Sequence, residues 1–255
     1  MRRGGSYIVP KRGGLMPITF EELDYQETPL GAISLRRRAD LMQEGGVIYE
    51  IKLNEEFLMS SLFTASEIQL AKLGLAAAPG NALDIVVGGL GLGYTAAAVL
   101  DFPRIRSLRV IELMAPVIDW HQRGLVPLGK KLSSDPRCTL VHADFFALAA
   151  SEGGFDRAEP NRLAHAVLLD IDHSPSQWLT PGNSAFYSLA GLHSLAGKLR
   201  PGGVFGLWSN DPPEEKFSRL LDTVFGSSEC HVVTFPNRYS GRESSSTIYL
   251  ACKSE

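Results

Sequence analysis

Short apolar runs alternate with stretches of helical spacing along the chain after residue 81. The runs predict strands at residues 82–87, 107–112, 138–142, 166–170 and 203–208. Each gap between them is long enough for a helical crossover, which is the sequence pattern of successive β-α-β units. The pattern therefore predicts an α/β fold with a doubly wound, mostly parallel sheet.

Two further apolar runs lie close together near the carboxyl terminus. They cover residues 230–235 and 246–252, with Pro236, Asn237 and Gly241 between them. Because the gap is too short for a helical crossover, the two runs are predicted to pair antiparallel. They add a sixth and a seventh strand, so the sheet is predicted to be seven-stranded.

The amino-terminal part of the chain follows a different pattern. Residues 1–17 are rich in Gly, Arg and Pro without periodicity, which predicts a mobile N-terminal segment. Residues 18–62 hold two extended runs separated by glycines, which predicts a small N-terminal antiparallel β unit. Helical spacing of apolar residues over 64–78 then opens the large domain, residues 63–255.

Composition and charge limit the class of partner. The chain is 44% hydrophobic and has a formal net charge of −3, so it offers no general attraction to nucleic acid. The basic run Arg36–Arg38 lies in a strand-like segment and is interpreted as a solvated face or an edge-strand guard. No stretch approaches the roughly 20 apolar residues that span a bilayer, and the residues after Met1 do not form a signal peptide. We expect neither a nucleic-acid partner nor a membrane partner.

The cysteines indicate a reducing compartment. Cys138, Cys230 and Cys252 are widely spaced and odd in number, which fits neither a zinc cluster nor a disulfide framework. We therefore expect a soluble, cytoplasmic protein. No metal site is expected, because no cluster of His, Cys and carboxylate residues has ligand spacing.

A glycine-rich turn is the central chemical signal. Gly89, Gly91 and Gly93 follow the first strand of the predicted sheet and precede a helical stretch. Glycines permit a tight turn and let a cofactor approach the backbone at a helix N-terminus. Glu112 ends the next strand, where a carboxylate can accept hydrogen bonds from both hydroxyl groups of a ribose. The alternatives are a compact turn without a ligand and an exposed charge at a strand end.

A further cluster follows the third strand of the predicted sheet. Asp144 precedes Phe145 and Phe146, a combination suited to the amino group and the flat ring of adenine. A dinucleotide dehydrogenase has no special need for this cluster, so the pattern favours an adenosyl sulfonium nucleoside. The alternative is that Asp144 caps the next helix while the two phenylalanines fill the core.

Together these motifs resemble the spermidine synthase family over residues 47–252. The resemblance rests on Thr95, Ile111 with Glu112, the approach from Asp135 through Arg137 to Asp144, and the turn Leu199 to Gly203. It implies a Rossmann-like methyltransferase fold that binds decarboxylated S-adenosylmethionine as co-substrate and a small-molecule amine as acceptor. It also implies a homodimer and a place in polyamine biosynthesis.

In that family an aspartate after the fourth strand helps to deprotonate the attacking amine. Asp170 and Asp172 follow the fourth strand of the predicted sheet, at the edge where open parallel sheets bind ligands. We expect Asp172 to be the general base, since a carboxylate can hold an ammonium group and take its proton. Asp170 is expected to lie on the adenosine or sulfonium side and to share in catalysis. The alternative is a loop in which one carboxylate caps the next helix.

Three residues are candidates for the substrate side of the site. Tyr187 lies at the substrate mouth or packs the helix after the fourth strand. Trp208, at the end of the fifth strand, stacks on a ligand or belongs to the core. Asp211 lies in the segment Asn-Asp-Pro-Pro, which is interpreted as a wall of the substrate site.

Three positions depart from the spermidine synthase pattern on the substrate side. Leu92 and Ser174 stand where the family has aspartates, and Leu70 stands where it has a tyrosine. These departures indicate an altered acceptor site. The first hypothesis is therefore aminopropyl transfer from decarboxylated S-adenosylmethionine to an amine. The alternatives are an S-adenosylmethionine-dependent methyltransferase and a non-catalytic protein that binds an adenosyl ligand or another chain.

Overall fold

The structure, a computed structural model, describes residues 20–254 and contains two β-sheets. The segment 1–17, predicted to be mobile, lies outside the described residues. The small sheet is antiparallel throughout and consists of β1 (Phe20–Thr28), β2 (Gly31–Ala39), β3 (Val47–Leu53) and β4 (Glu56–Ser60).

The small sheet has one charged face and one apolar face. On the charged face, Arg36 and Arg38 of β2 lie 3.6 and 2.8 Å from carboxylate oxygens of Glu50 on β3. The basic run is therefore partly paired within the sheet. On the apolar face, Ile33 and Leu35 join the same hydrophobic cluster as the large sheet, so the small sheet is packed onto the rest of the chain.

The large sheet has seven strands in the order β10-β11-β9-β8-β5-β6-β7. Its parallel strands are β5 (Leu83–Gly88), β6 (Ile105–Glu112), β7 (Cys138–His142), β8 (Ala164–Leu169) and β9 (Leu199–Ser209). The antiparallel hairpin β10 (Gly226–Asn237) and β11 (Arg242–Lys253) extends it beyond β9. The predicted doubly wound, mostly parallel seven-stranded sheet with a small N-terminal antiparallel β unit is confirmed.

Helices cover both faces of the large sheet. They are α1 (Ala65–Ala77), α2 (Tyr94–Leu100), α3 (Ala115–Gln122), α4 (Gly129–Ser134), α5 (Phe145–Ala150), α6 (Leu189–Ala196) and α7 (Glu215–Phe225), with a 3-10 turn at Pro181–Ala185. Buried residues of α1, α2 and α3 belong to one hydrophobic cluster, whereas those of α5, α6 and α7 belong to a second, aromatic-rich cluster. No helix among residues 20–254 is both long and apolar enough to cross a membrane.

The C-terminal hairpin is longer than the apolar runs predicted. Strands β10 and β11 pair from Gly226 with Lys253 to Asn237 with Arg242. Strand β9 pairs only with the part of β11 between Thr247 and Cys252. Because the rest of the hairpin carries polar residues, its hydrogen-bonded length could not be read from the apolar pattern.

The strand order positions a site at the carboxyl ends of β5 and β8. From β5 the chain builds outward through β6 and β7, then crosses to the other side to form β8 and β9. Ligands of doubly wound sheets bind at such a switch point, in the crevice between strands that lead in opposite directions. Here the crevice lies between the glycine turn after β5 and the loop that begins at Asp170.

Candidate functional site

A cavity of about 470 Å³ opens at the carboxyl edge of the large sheet. Its floor is formed by the ends of β5, β6 and β8 and by the start of α5, and β4 of the small sheet forms part of its wall. Met59 of β4 packs directly on the glycine turn, since its sulfur lies 3.1 Å from the Leu92 amide nitrogen. The small sheet therefore closes one side of the site.

Two of the three predicted glycines line this cavity. Gly89 and Gly91 contribute to its surface, whereas Gly93 does not. At Gly89, φ is +92°, and a Cβ atom would lie 2.1 Å from the carbonyl oxygen of Asp170. At Gly93, φ is +90°, and a Cβ atom would lie 2.6 Å from the side chain of Leu132. The first glycine is thus required by the close approach of two strand ends, and the third by helix packing.

Glu112 projects a fixed carboxylate into the cavity from the end of β6. Its Oε2 accepts a hydrogen bond from the Leu90 amide at 2.9 Å, and its Oε1 accepts one from the Met114 amide at 2.8 Å. The residue is 6% exposed and lines the cavity. Burial raises the pKa of Glu112 despite these backbone amides. Backbone amides after β5 and β6 therefore hold this carboxylate at the wall of the cavity.

Asp144 and Phe145 line the same cavity as Glu112. Oδ1 of Asp144 accepts hydrogen bonds from the amides of Phe146 and Ala147 at 2.8 and 3.2 Å, so Asp144 also caps α5. Phe145 is 2% exposed and stacks on Phe155 with ring centroids 5.1 Å apart. Asp144 thus caps a helix and Phe145 packs in the core, and both residues also line the cavity.

Asp170 and Asp172 occupy different environments, although they are separated by one residue. Asp170 follows β8 directly, lines the cavity and accepts a hydrogen bond from Thr95 Oγ1 at 2.7 Å. Asp172 is 1% exposed and does not line the cavity. Asp170 therefore lines the cavity, whereas Asp172 is enclosed behind it.

The carboxylate of Asp172 is occupied by the loop that follows it. It accepts hydrogen bonds from the Leu179 amide at 2.7 Å, Asn183 Nδ2 at 2.8 Å and the Tyr187 hydroxyl at 2.8 Å. Burial raises the pKa of Asp172 even though these three donors favour the charged form. The sequence could not distinguish the two aspartates, because both follow the strand and only the path of the loop turns Asp172 inward.

Of the substrate-side candidates, only Trp208 lines the cavity. Its indole Nε1 donates a hydrogen bond to Ser66 Oγ at 2.9 Å. Tyr187 is buried and is occupied by its bond to Asp172, and Asp211 lies outside the cavity, where Oδ2 accepts from Gln177 at 3.0 Å. The site is therefore smaller on this side than the sequence indicated.

The three positions that depart from the family pattern do not face the cavity. Leu70 and Leu92 are completely buried in the core, and Ser174 is completely buried within its own loop. Ser174 Oγ accepts a hydrogen bond from the Gln177 amide at 3.1 Å. Within the described residues 20–254, these three side chains therefore do not reach the cavity.

Glu67 is a further acid of the cavity, which the sequence interpretation did not include. It lies in the first turn of α1, is 7% exposed and lines the cavity. Its Oε2 accepts a hydrogen bond from Ser66 Oγ at 2.9 Å. Burial and the negative charge of Asp170 raise the pKa of Glu67 to about 8, and burial raises the pKa of Asp170 to about 6. The signal in the sequence was the position of Glu67 three residues before Leu70, on the face of α1 that is buried.

The cavity has a single sign of charge. Its acidic side chains come from four separate elements and are Glu67, Glu112, Asp144 and Asp170. Within residues 20–254, neither lysine nor arginine lines it, and His173 is the one basic side chain present. An acidic cavity with apolar walls attracts a cation and disfavours an anion. The arrangement is suited to an organic cation that carries a flat apolar group.

Comparisons with known proteins agree with this architecture. No family model matches the chain. Putrescine N-methyltransferase 3 of Nicotiana tabacum is 29% identical over 137 residues, which cover 53% of this chain and 32% of that protein. The chain thus spans about a third of the length of the curated relatives it matches.

Solved structures of spermidine synthases share the fold. The enzyme from Thermotoga maritima has a TM-score of 0.67 at 18% identity, with 91% of this chain and 72% of that chain covered. A spermidine synthase in complex with the transition-state analogue AdoDATO has a TM-score of 0.68 at 18% identity, with 91% and 73% covered. The resemblance to the spermidine synthases is thus confirmed at the level of the fold.

Proposed function

Because the chain has the fold of the spermidine synthases, we propose that it is a transferase that moves an alkyl group from an adenosyl sulfonium nucleoside to an amine. One observation carries the proposal: a single cavity joins the glycine turn and Glu112 to the carboxylates of Asp170 and Glu67. A cationic nucleoside and a cationic amine both match the charge of this cavity.

The nucleoside half of the cavity is formed by the ends of β6 and β7. Glu112 is held by backbone amides, and its free lone pairs accept hydrogen bonds from the ribose hydroxyl groups. Asp144 accepts from the adenine amino group, and Phe145 packs against the ring. Gly89 and Gly91 let the ribose and the sulfur approach the backbone.

The reactive half lies at the end of β8, and Asp170 replaces Asp172 as the proposed general base. A primary amine is protonated at neutral pH and has no lone pair with which to attack. Asp170 takes one proton from the ammonium group, and the freed lone pair attacks the carbon bonded to the sulfonium. The carbon–sulfur bond breaks with both electrons going to sulfur, which leaves a neutral thioether nucleoside. Asp172 and Tyr187 shape the loop instead.

The charge of the cavity favours an aminopropyl group as the group transferred. Decarboxylated S-adenosylmethionine carries a sulfonium and an ammonium group, both of which match Glu67 and Asp170. Intact S-adenosylmethionine adds a carboxylate, and the part of the lining that the structure describes contains no lysine or arginine to receive it. Aminopropyl transfer to an amine acceptor is therefore the first proposal.

Methyl transfer is the second proposal, and the sequence similarity favours it. The tobacco relative is named a putrescine N-methyltransferase. The same cavity and the same base serve methyl transfer, which differs in the carbon attacked on the sulfonium and in the carboxylate that intact S-adenosylmethionine carries. The acceptor in both proposals is a small amine.

Binding and product analysis test the two proposals together. Calorimetry with intact and decarboxylated S-adenosylmethionine is expected to show tighter binding of the decarboxylated form. Mass spectrometry after incubation with putrescine, cadaverine, agmatine or spermidine then identifies an aminopropyl or a methyl product. Binding of neither nucleoside would contradict both proposals, whereas binding without any product would indicate a non-catalytic protein.

The homodimer is part of the proposal, and light scattering tests it.

A further inference from the structure

Glu67 and Asp170 meet in the cavity from two different elements. Glu67 lies in the first turn of α1, and Asp170 lies at the end of β8. Thr95 of α2 links them: its Oγ1 is 2.7 Å from Asp170 Oδ2 and 3.4 Å from the carbonyl oxygen of Glu67. Thr95 therefore connects the carboxylate of Asp170 to the backbone of α1 at Glu67, and both acidic side chains line the one cavity.

We propose that Glu67 and Asp170, as two acids of one cavity, together retain one proton in the absence of a ligand and release it when a cationic nucleoside binds, which makes Glu67 a specificity-determining residue. The proposal rests on the proposed function, because it concerns the same cavity. It goes further by assigning ligand selection to a residue that is not the base, and by naming the charge of the ligand as the property selected.

The surroundings of the pair retain a proton in the empty cavity. Tyr94 of α2 also faces Glu67, and the charge of Glu67 raises the pKa of this tyrosine in addition to burial. The other ionisable groups of the cavity wall are Glu112, Asp144 and His173. Because no lysine or arginine in the described lining offsets two adjacent negative charges, ionising both carboxyl groups is costly. Two such groups titrate as a unit, with the first proton lost more easily than the second.

The hydrogen bonds of Glu67 position its carboxyl group in the cavity. Ser66 Oγ donates to Glu67 Oε2 at 2.9 Å, and Trp208 Nε1 donates to Ser66 Oγ at 2.9 Å. The side chain thus belongs to a chain of three groups that reaches from β9 to α1. These hydrogen bonds fix the carboxyl group of Glu67 at the wall of the cavity that Asp170 also lines.

A bound cation changes the protonation of Glu67 and Asp170. A sulfonium or ammonium group beside the pair stabilises the second negative charge, so binding releases the shared proton. By linkage, affinity for a cationic nucleoside rises with pH until the empty pair is fully ionised. A neutral thioether nucleoside such as 5′-methylthioadenosine gains nothing from ionisation, and its affinity is expected to be independent of pH over the same range.

Calorimetry in two buffers with different ionisation enthalpies measures the released proton. At pH 7, decarboxylated S-adenosylmethionine is expected to release about one proton per site, and 5′-methylthioadenosine none. In Glu67→Gln the release is expected to disappear, and affinity for the decarboxylated nucleoside to fall about tenfold relative to 5′-methylthioadenosine. The matched control is Glu56→Gln, an exposed acid of β4 outside the cavity, which is expected to change neither quantity.

The outcomes separate this inference from the proposed function. Binding of both nucleosides without proton release in the unmodified chain, or undiminished release in Glu67→Gln, would overturn the shared proton. Failure of both nucleosides to bind would overturn the proposed function and this inference with it. If Glu67→Gln does not fold, the pH dependence of the unmodified chain decides: equal dependence for the cationic and the neutral nucleoside would contradict the proposal.

Discussion

The two edges of the large sheet treat buried acids in opposite ways. At the amino edge, Asp84 accepts hydrogen bonds from Arg106 Nε at 2.9 Å and Ser107 Oγ at 2.7 Å, and Arg162 lies 2.8 Å away. At the carboxyl edge, Glu67 and Asp170 line a cavity whose described wall holds no guanidinium group. At the amino edge the protein's own cations thus pair with the buried acid, whereas at the carboxyl edge the described residues supply no such cation to the two acids.

The pKa directions follow this difference. Burial would raise the pKa of Asp84, but the bonds from Arg106 and Ser107 with the charge of Arg162 outweigh it and hold that pKa well below its usual range. Burial raises the pKa values of Glu67 and Asp170 instead. An acid that remains uncompensated inside a cavity indicates a functional site, because structural acids are normally paired.

The largest effect is expected for the base at the carboxyl edge. Asp170→Asn cannot take a proton, and we expect turnover to fall about 1,000-fold while affinity for the neutral nucleoside 5′-methylthioadenosine changes little. Asp172→Asn is the matched control: it disturbs the bonds to Tyr187 and Asn183, so it is expected to lower the melting temperature with a much smaller loss of turnover. Steady-state kinetics on both variants measure the two losses of turnover. A larger loss in Asp172→Asn than in Asp170→Asn would indicate that Asp172 is the general base.

The next largest effect is expected at the amino edge. Asp84→Asn removes the carboxylate partner of Arg106 and one of the carboxylate partners of Arg162, and we expect a loss of about 2 kcal/mol in the free energy of unfolding. The loss stays below that of a fully buried pair because Arg106 is half exposed. Urea unfolding at pH 7 measures it. An unchanged free energy would show that this edge is not stabilised by its ion pairs.

A smaller effect on binding is expected at Glu112. Glu112→Gln keeps the size of the side chain but removes the charge that accepts from ribose hydroxyl groups, so affinity for 5′-methylthioadenosine is expected to fall about tenfold. Fluorescence or calorimetric titration measures this. Equal affinity in the variant and the unmodified chain would place the ribose elsewhere.

The last expected effect is on stability at Glu67, and its sign is opposite to that at Asp84. The folded state raises the pKa of Glu67 from 4.5 to about 8, so the folded chain keeps a proton that the unfolded chain loses as pH rises through this window. Glu67→Gln lacks this penalty. It is expected to be more stable than the unmodified chain at pH 8 and to show no gain at pH 4. An equal gain in the free energy of unfolding at both pH values would contradict the claim that burial raises the pKa of Glu67 in the folded chain.

The sequence predicted the sheet and the nucleoside half of the site more completely than the reactive half. Apolar runs determine parallel strands that are buried on both faces, and the ends of those strands carried Gly89, Glu112 and Asp144 to one cavity. These residues follow strands directly, so their position depends on the sheet alone.

The reactive half depends on contacts between distant segments. Asp172 is turned inward by a loop whose path is set by Asn183 and Tyr187, and local patterns do not encode that path. Glu67 reaches the cavity only because α1 packs beside the end of β8, far away in the sequence. A buried acid on an otherwise apolar helix face was the available signal, and its meaning required the position of Asp170.

A crystal structure with 5′-methylthioadenosine tests the central claim most directly. The account predicts the ribose hydroxyl groups against Glu112, the adenine beside Asp144 and Phe145, and the sulfur directed toward Asp170. A nucleoside bound outside this cavity, or one whose sulfur points away from Asp170, would contradict it.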